Sequence, residues 1–164
     1  MNFFIDKNAE KVKGILAYRK EEHSLSFELS SDQKDLIGFQ GRTSLTFQTL
    51  QAEVDIASKR LLYLWGYFPI VNAISGDISE LDSQNASVTV QDVVLRPGVS
   101  IEFLSARKWK KVFDRNMKFI YFGPEELAFG ETRIQICNDA IICFSENQPV
   151  SMIIRLNRGI RLAT

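Results

Sequence analysis

The side chains that most often perform catalysis are sparse and scattered in this sequence. His23 is the only histidine and lies in the acidic stretch Glu21-Glu22-His23-Ser24, so a zinc site built from several imidazoles is excluded. A cysteine or serine nucleophile would need His23 as its base. Cys137 and Cys143 lie in apolar runs that show no sign of an activated thiolate. We therefore expect no histidine-dependent enzyme.

Carboxylates are abundant, but their pairing does not indicate catalysis. A glycosidase needs only two acids, and the sequence offers Glu125-Glu126 and the alternating Glu53 and Asp55. A chain with 20 acidic residues contains such pairs by chance. The loop GDISELDSQ, residues 76–84, also lacks the ligand spacing of an EF-hand. We expect no metal, no cofactor and no catalytic residue; a carboxylate enzyme is the third alternative.

An aromatic stretch, LLYLWGYF, is the first candidate binding element. On a strand, Tyr63, Trp65 and Tyr67 share one face, and pairing with the preceding strand places Glu53 and Asp55 beside them. Two interpretations remain open. A central strand of a two-layer β domain buries both faces, which would make the aromatic stripe part of the core. Alternatively, tyrosine and tryptophan beside carboxylates form a protein-binding surface.

The acidic loop between two predicted strands is the second candidate. It contains Asp77, Glu80 and Asp82 and no basic residue. Most acidic loops are simply solvated, but as an interaction element this one would suit a basic partner through charge complementarity. The predicted partner-binding residues are Asp77, Glu80, Asp82, Trp65, Tyr67, Glu53 and Asp55.

The densest basic run, RKWKK, raises a nucleic-acid alternative. Basic side chains would contact phosphates and an indole would stack on a base, which assigns binding to Lys108, Trp109, Lys110 and Lys111 within segment 107–118. On a strand these side chains would alternate between two faces, which dilutes any patch. A solvated edge strand protected by lysines explains the same run without a ligand. The net charge of zero gives the whole chain no general attraction to nucleic acid.

Hydrophobic patterns with a period of two indicate the strands that would position these groups. Strands 133–137 and 140–144 flank the turn Asn138-Asp139, and residue 136 is predicted to pair with residue 141. That register would place four apolar side chains on one face: Ile134, Ile136, Ile141 and Cys143. Cys137 would point the other way, so no disulfide is expected within this hairpin.

Two further hairpins complete the predicted organisation. Segments 110–113 and 117–122 form one, and the aromatic stretch forms another in which Val54 pairs with Leu64 and Ile56 with Leu62. Helix is predicted only at 6–13 and 124–127. We predict an all-β, mainly antiparallel fold, a β-sandwich or strongly curved sheet built of hairpins with little helix.

Composition and length favour one soluble domain over residues 1–164. The chain is 45% hydrophobic and 24% charged, close to globular averages, and contains no apolar stretch long enough to cross a membrane. The N-terminus lacks the basic start and apolar core of a secretory signal. We therefore expect a cytoplasmic protein with reduced thiols and no membrane partner. The oligomeric state stays open.

Two stretches, VDIASKRLLYLWGYFP and ICNDAIICFSENQPVSMIIRL, resemble small β-rich immunity proteins encoded beside bacterial polymorphic toxins, including those of contact-dependent inhibition. The resemblance implies a noncatalytic protein that binds one cognate toxin domain and blocks its active site or its access to substrate. Many such toxins are nucleases with basic clefts, so the loop from Asp77 to Asp82 would act as a plug. No residue is carried over by motif, because binding surfaces differ between immunity types.

Overall fold

Strands form most of the computed structural model, which describes residues 1–78, 81–114, 116 and 119–155. Strand accounts for 55% of the described residues and helix for 7%, which confirms the all-β prediction. The strands are, in chain order, β1 (Asn2–Asp6), β2 (Gly14–Arg19), β3 (Ser24–Leu29), β4 (Arg42–Phe47), β5 (Leu50–Asp55), β6 (Leu61–Tyr67), β7 (Ile74–Gly76), β8 (Gln84–Asn85), β9 (Ser87–Gln91), β10 (Ile101–Glu102), β11 (Lys110–Asp114), β12 (Phe119–Gly123), β13 (Thr132–Cys137), β14 (Ala140–Ser145) and β15 (Gln148–Arg155).

The strands are arranged in three sheets. A six-stranded sheet has the order β10-β4-β5-β6-β3-β2, a seven-stranded sheet has the order β7-β11-β12-β15-β14-β13-β8, and β1 pairs with β9. Most neighbours are antiparallel, and β10–β4, β11–β7 and β13–β8 are the parallel pairs of the described chain. The predicted β11–β12 hairpin is present, with Val112 opposite Tyr121.

One hydrophobic core lies between the two large sheets. Leu45 and Leu64 of the six-stranded sheet belong to the same buried cluster as Ile120 and Ile142 of the seven-stranded sheet. Because alternate residues of a strand face opposite sides, each sheet contributes one face to this cluster. The two sheets therefore pack as a sandwich.

The aromatic hairpin has a different register from the predicted one. Ala52 rather than Val54 lies opposite Leu64, and a bulge then places Val54 opposite Leu61. The predicted register was wrong by two residues at Leu64, and the bulge between Ala52 and Val54 makes the error three residues at Val54. A shift of two preserves which side chains share a face, so Trp65 still lies on the side away from the core.

The β13–β14 hairpin departs from prediction more seriously. A bulge after Gln135 places that residue, and not Ile136, opposite Ile141. The predicted grouping of apolar side chains on one face was therefore wrong, because a single extra residue reverses the faces of the two strands relative to each other. Ile141 and Cys143 pack in a separate cluster on the outer side of the sheet. Both cysteines are free, as predicted.

The outer side of the seven-stranded sheet is also apolar and covered. Its central row comprises Val112, Tyr121, Ile153 and Ile141, neighbours across four adjacent strands. The connection between β7 and β8 joins opposite edges of the sheet, and we call it the crossing segment. Its Ile78 packs on Val112 and Tyr121, and its Leu81 packs on the cluster of Ile141 and Ile153.

Both predicted helices are absent. Residues 6–13 form a turn in which the Asp6 side chain accepts a hydrogen bond from the Asn8 amide, and Val12 then bridges to Cys137. Residues 124–127 have no helical hydrogen-bond pattern. The described helices are instead two short 3-10 segments, Ser31–Leu36 and Leu104–Lys108. No helix in the described ranges is long and apolar enough to cross a membrane.

Candidate functional site

The predicted partner-binding residues are distributed over two different sheets. Trp65 and Glu53 lie on β6 and β5 of the six-stranded sheet, and Tyr67 at the end of β6 is 52% exposed. Asp77 and Asp82 are exposed in the crossing segment of the seven-stranded sheet. Glu80 lies outside the described residues. The aromatic and acidic halves of the predicted surface therefore belong to separate elements.

Asp55 does not belong to an exposed surface, and its predicted partner-binding role was wrong. The residue is only 2% exposed. Its Oδ1 accepts a hydrogen bond from the Gly38 amide at 2.9 Å, and its Oδ2 accepts from the Ser58 amide at 2.9 Å and the Ser58 hydroxyl at 2.7 Å. Burial raises the pKa of Asp55, but these hydrogen bonds outweigh burial and lower the pKa below its ordinary value. Asp55 fixes two turns.

The side of β4, β5 and β6 that faces away from the core forms the candidate site. Strand alternation places six mostly polar and aromatic side chains there: Arg42, Ser44, Gln51, Glu53, Tyr63 and Trp65. We call this set the β4–β6 face. Two open pockets of about 300 Å³ and about 220 Å³ lie along it, and both are lined by Glu53 and Trp65.

The larger pocket lies where β3 pairs with β6, and the backbone of β6 has an unusual conformation at this point, at Gly66. Within the described residues the two strands pair at two positions, Ser24 with Tyr67 and Leu25 with Gly66. Gly66 has φ +115, and an added Cβ would lie 3.0 Å from the carbonyl oxygen of Thr49. Only glycine adopts this conformation readily. Any other residue at position 66, between Trp65 and Tyr67, would therefore strain the backbone.

Aromatic rings form the wall of this pocket, which we call the Glu53 pocket. It is lined by Leu25, Ser26, Phe27, Glu53, Tyr63 and Trp65. The rings of Phe27 and Tyr63 are stacked, with centroids 4.8 Å apart and an interplanar angle of 11°. The pocket thus combines aromatic lining residues with one carboxylate.

The electrostatics of the β4–β6 face centre on Glu53. Burial raises the pKa of Glu53 above its ordinary value, against the opposing effects of the Arg42 guanidinium and the nearby Trp65 indole. Among the described residues no ion pair within 4.0 Å involves Glu53. Arg42 instead donates a 3.1 Å hydrogen bond to the Tyr63 hydroxyl. Although the Trp65 N–H is near enough to affect the carboxylate, it is buried and makes no hydrogen bond of normal geometry.

The basic segment does not form the predicted nucleic-acid site. Trp109 is 6% exposed and stacks on Phe47 in the core, so its ring is not available to a base. Lys111 donates to the Pro69 carbonyl at 2.8 Å and lies 4.6 Å from the centre of the Phe68 ring.

Only some side chains of the basic run are exposed to solvent. Lys108 ends a 3-10 segment and Lys110 begins β11, and both are exposed. The edge-strand interpretation was also wrong, because β11 pairs with β7 on one side and β12 on the other. The 3-10 segment that ends at Lys108 interrupts the strand alternation of side chains within the densest part of the basic run.

The residues considered for catalysis are dispersed. Burial raises the pKa of Cys137 to about 12, which keeps it a thiol. His23 lies in the turn before β3, and its ring is edge-on to the Tyr67 ring at the end of β6, with centroids 6.4 Å apart. Across the part of the chain that the structure describes, no group of three or more His, Cys, Asp and Glu side chains is placed to hold a metal ion.

Two contributors to the site were missed from the sequence. Arg42 begins β4 directly after Gly41, and Phe27 lies on β3, a strand distant in sequence from β6. The alternation of Leu25, Phe27 and Leu29 indicated a strand, but it did not indicate which strand lies beside it.

No protein-family model, curated protein or solved structure matches this chain.

Proposed function

We propose that this protein is a noncatalytic, cytoplasmic binding protein that neutralises a cognate toxin domain, and that it binds this partner through the β4–β6 face and Tyr67. The observation that carries the proposal is the Glu53 pocket, in which a half-buried carboxylate without an ion pair lies beside an open aromatic wall. Polar groups left in this state gain free energy when a partner supplies the missing contacts.

The residue types of this surface suit protein recognition. Tryptophan, tyrosine and arginine are the side chains most enriched among residues that dominate binding energy. Trp65, Tyr67 and Arg42 supply one of each; the two aromatic residues lie on β6 and Arg42 lies on β4, and β5 separates these strands within one sheet. A preformed surface of this kind loses little conformational entropy on binding.

The exposed acids Asp77 and Asp82 support the choice of a basic partner. They belong to the crossing segment and not to the β4–β6 face, so we assign them a long-range role. Exposed charges accelerate association with an oppositely charged partner even where they make no direct contact. This fits a toxin domain with a basic substrate cleft.

The test requires a toxin domain encoded beside the gene for this chain, and it compares how tightly variants of the chain bind that domain; the lack of such a neighbouring gene would count against the proposal. We expect Tyr67→Ala and Trp65→Ala each to weaken binding by about 2 kcal/mol, roughly 30-fold, mainly through faster dissociation. Leu104→Ala is the matched control, because Leu104 is exposed but lies outside the β4–β6 face.

Calorimetric titration measures the affinities, and thermal melts establish that each variant is folded. Folded Tyr67 and Trp65 variants that bind as tightly as the control would reject this surface. A protein that shows no binding to the encoded toxin would reject the proposed function.

A further inference from the structure

The Glu53 carboxylate is the least compensated charge of the β4–β6 face. It is partly buried, yet the nearest cationic side chain, Arg42, is hydrogen-bonded to the Tyr63 hydroxyl and makes no ion pair with it. A partly desolvated carboxylate that has no ion pair at contact distance costs free energy, and an incoming cation recovers part of it. The pocket thus favours the binding of a positively charged group.

The shape of the pocket selects among cations. Its wall includes the stacked rings of Phe27 and Tyr63 together with the Trp65 indole, and its volume is about 300 Å³. A guanidinium group is planar, stacks on aromatic rings and donates two parallel hydrogen bonds to a carboxylate. An ammonium group has the charge but neither the plane nor the paired donors.

We propose that the Glu53 pocket receives the guanidinium group of an arginine side chain of the partner protein, bound to the Glu53 carboxylate and stacked on the aromatic wall. The proposal rests on the proposed function and names the chemical group that the surface recognises. The Trp65 indole lines both pockets, and its buried N–H lies close enough to the Glu53 carboxylate to act on it, so the signal of this N–H reports on occupation of the Glu53 pocket.

Binding of an arginine at this position depends on the ionisation of Glu53. The charged or titratable groups that act on it are Arg42 from β4 and Tyr63 from β6, and β3 contributes three uncharged residues to the pocket, Leu25, Ser26 and Phe27. Since burial raises the pKa of Glu53, the carboxylate loses its charge at a higher pH than an exposed glutamate. Arginine binding therefore weakens as the pH falls through this raised pKa.

A pair of small probes tests the pocket in the isolated full-length protein. The probes are Nα-acetyl-arginine methylamide and its citrulline analogue, which has nearly the same shape and no charge. Proton–nitrogen spectra report the indole N–H of Trp65, and that of Trp109 serves as an internal reference because it is buried in the core. We expect the arginine probe to shift the Trp65 signal saturably, with an affinity at least tenfold higher than the citrulline probe.

Variants complete the test. Glu53→Gln should weaken arginine-probe binding at least tenfold. Glu126→Gln, which changes an exposed carboxylate in the connection between β12 and β13, should leave it unchanged. Spectra that superimpose outside the pocket establish that Glu53→Gln is folded; if it is not, the comparison of arginine with citrulline decides. Equal responses to both probes, or unchanged binding by folded Glu53→Gln, would overturn the proposal.

The outcomes separate this proposal from the proposed function. If the arginine probe fails while the toxin domain binds in a Trp65-dependent manner, the arginine assignment is wrong and the binding function stands. If the probe binds through Glu53 and no toxin domain binds, the pocket is a guanidinium site and the proposed function is wrong.

Discussion

Asp55 uses both carboxylate oxygens within the protein. One oxygen holds the Gly38 amide and the other holds the amide and hydroxyl of Ser58, so a single side chain connects the turn before β4 with the turn after β5. The loop that begins at Gly38 presents Phe39, whose side chain is fully exposed. The carboxylate thus supports the surface next to the β4–β6 face without touching a partner.

Replacing Asp55 with asparagine should destabilise the fold at neutral pH. Asparagine offers one acceptor oxygen where the carboxylate offers two charged ones, and we expect a loss of about 1 to 3 kcal/mol in the free energy of unfolding. Urea denaturation at pH 7 measures this loss. Asp35→Asn is the control, because Asp35 is exposed.

The same substitution should also change the pH dependence of stability. The folded-state pKa of Asp55 lies below its unfolded value of about 3.9, so its stabilisation is complete above about pH 4 to 5 and is lost as the pH falls through the folded pKa. The difference in stability between wild type and Asp55→Asn should therefore shrink on acidification. A difference that stays constant from pH 7 to pH 3 would contradict this account.

At the scale of elements, the bend of β6 at Gly66 determines the geometry of the candidate site. Trp65 faces the pocket before the bend, and Tyr67 is exposed after it. The left-handed conformation of Gly66 separates these two environments within three residues. The strand therefore presents two aromatic side chains in different settings, one packed and one open.

Gly66→Ala should destabilise the protein by about 1 to 3 kcal/mol, because alanine is strained at φ +115 and its Cβ would be 3.0 Å from the Thr49 carbonyl oxygen. Gly98→Ala is a matched control. Gly98 also has a positive φ, of +70, but an added Cβ there meets nothing within 4 Å. Chemical denaturation of both variants should give the larger loss for Gly66; equal losses would show that the contact with Thr49 is unimportant.

The two hairpins show how far the sequence could predict the site. Trp65 and Glu53 were correctly placed together because the register error in β5–β6 was two residues, which leaves the faces unchanged. The bulge after Gln135 shifts the β13–β14 register by one residue, and no pattern in the local sequence indicates this bulge. Arg42, Phe27 and the burial of Asp55 depend on contacts between distant strands, which a period of two does not encode.

At the scale of the whole molecule, the described chain is layered around the seven-stranded sheet. One face of that sheet packs on the six-stranded sheet, and the other packs under the crossing segment and Phe129. Cys137 belongs to the inner layer and Cys143 to the outer one. The outer layer is the thinner, since short connections and not a sheet cover it.

The two thiols should therefore report separately on the two layers. Under native conditions we expect a thiol reagent to label Cys143 faster than Cys137, because local opening of the outer layer costs less free energy than opening the central core. Mass spectrometry over a time course measures both rates. Leu81→Ala should accelerate labelling of Cys143 and leave Cys137 unchanged, and equal rates at both sites would contradict the layered description.

The crossing segment also joins the two edge strands of the seven-stranded sheet, and we expect this arrangement to limit aggregation. It connects β7 and β8, strands of three and two residues that form the two edges of the seven-stranded sheet and cover parts of the longer β11 and β13. Very short edge strands offer few main-chain groups to another molecule. Because one connection holds both, a substitution that loosens it would uncover β11 and β13 together, and both sides of the sheet would become templates for intermolecular strand pairing.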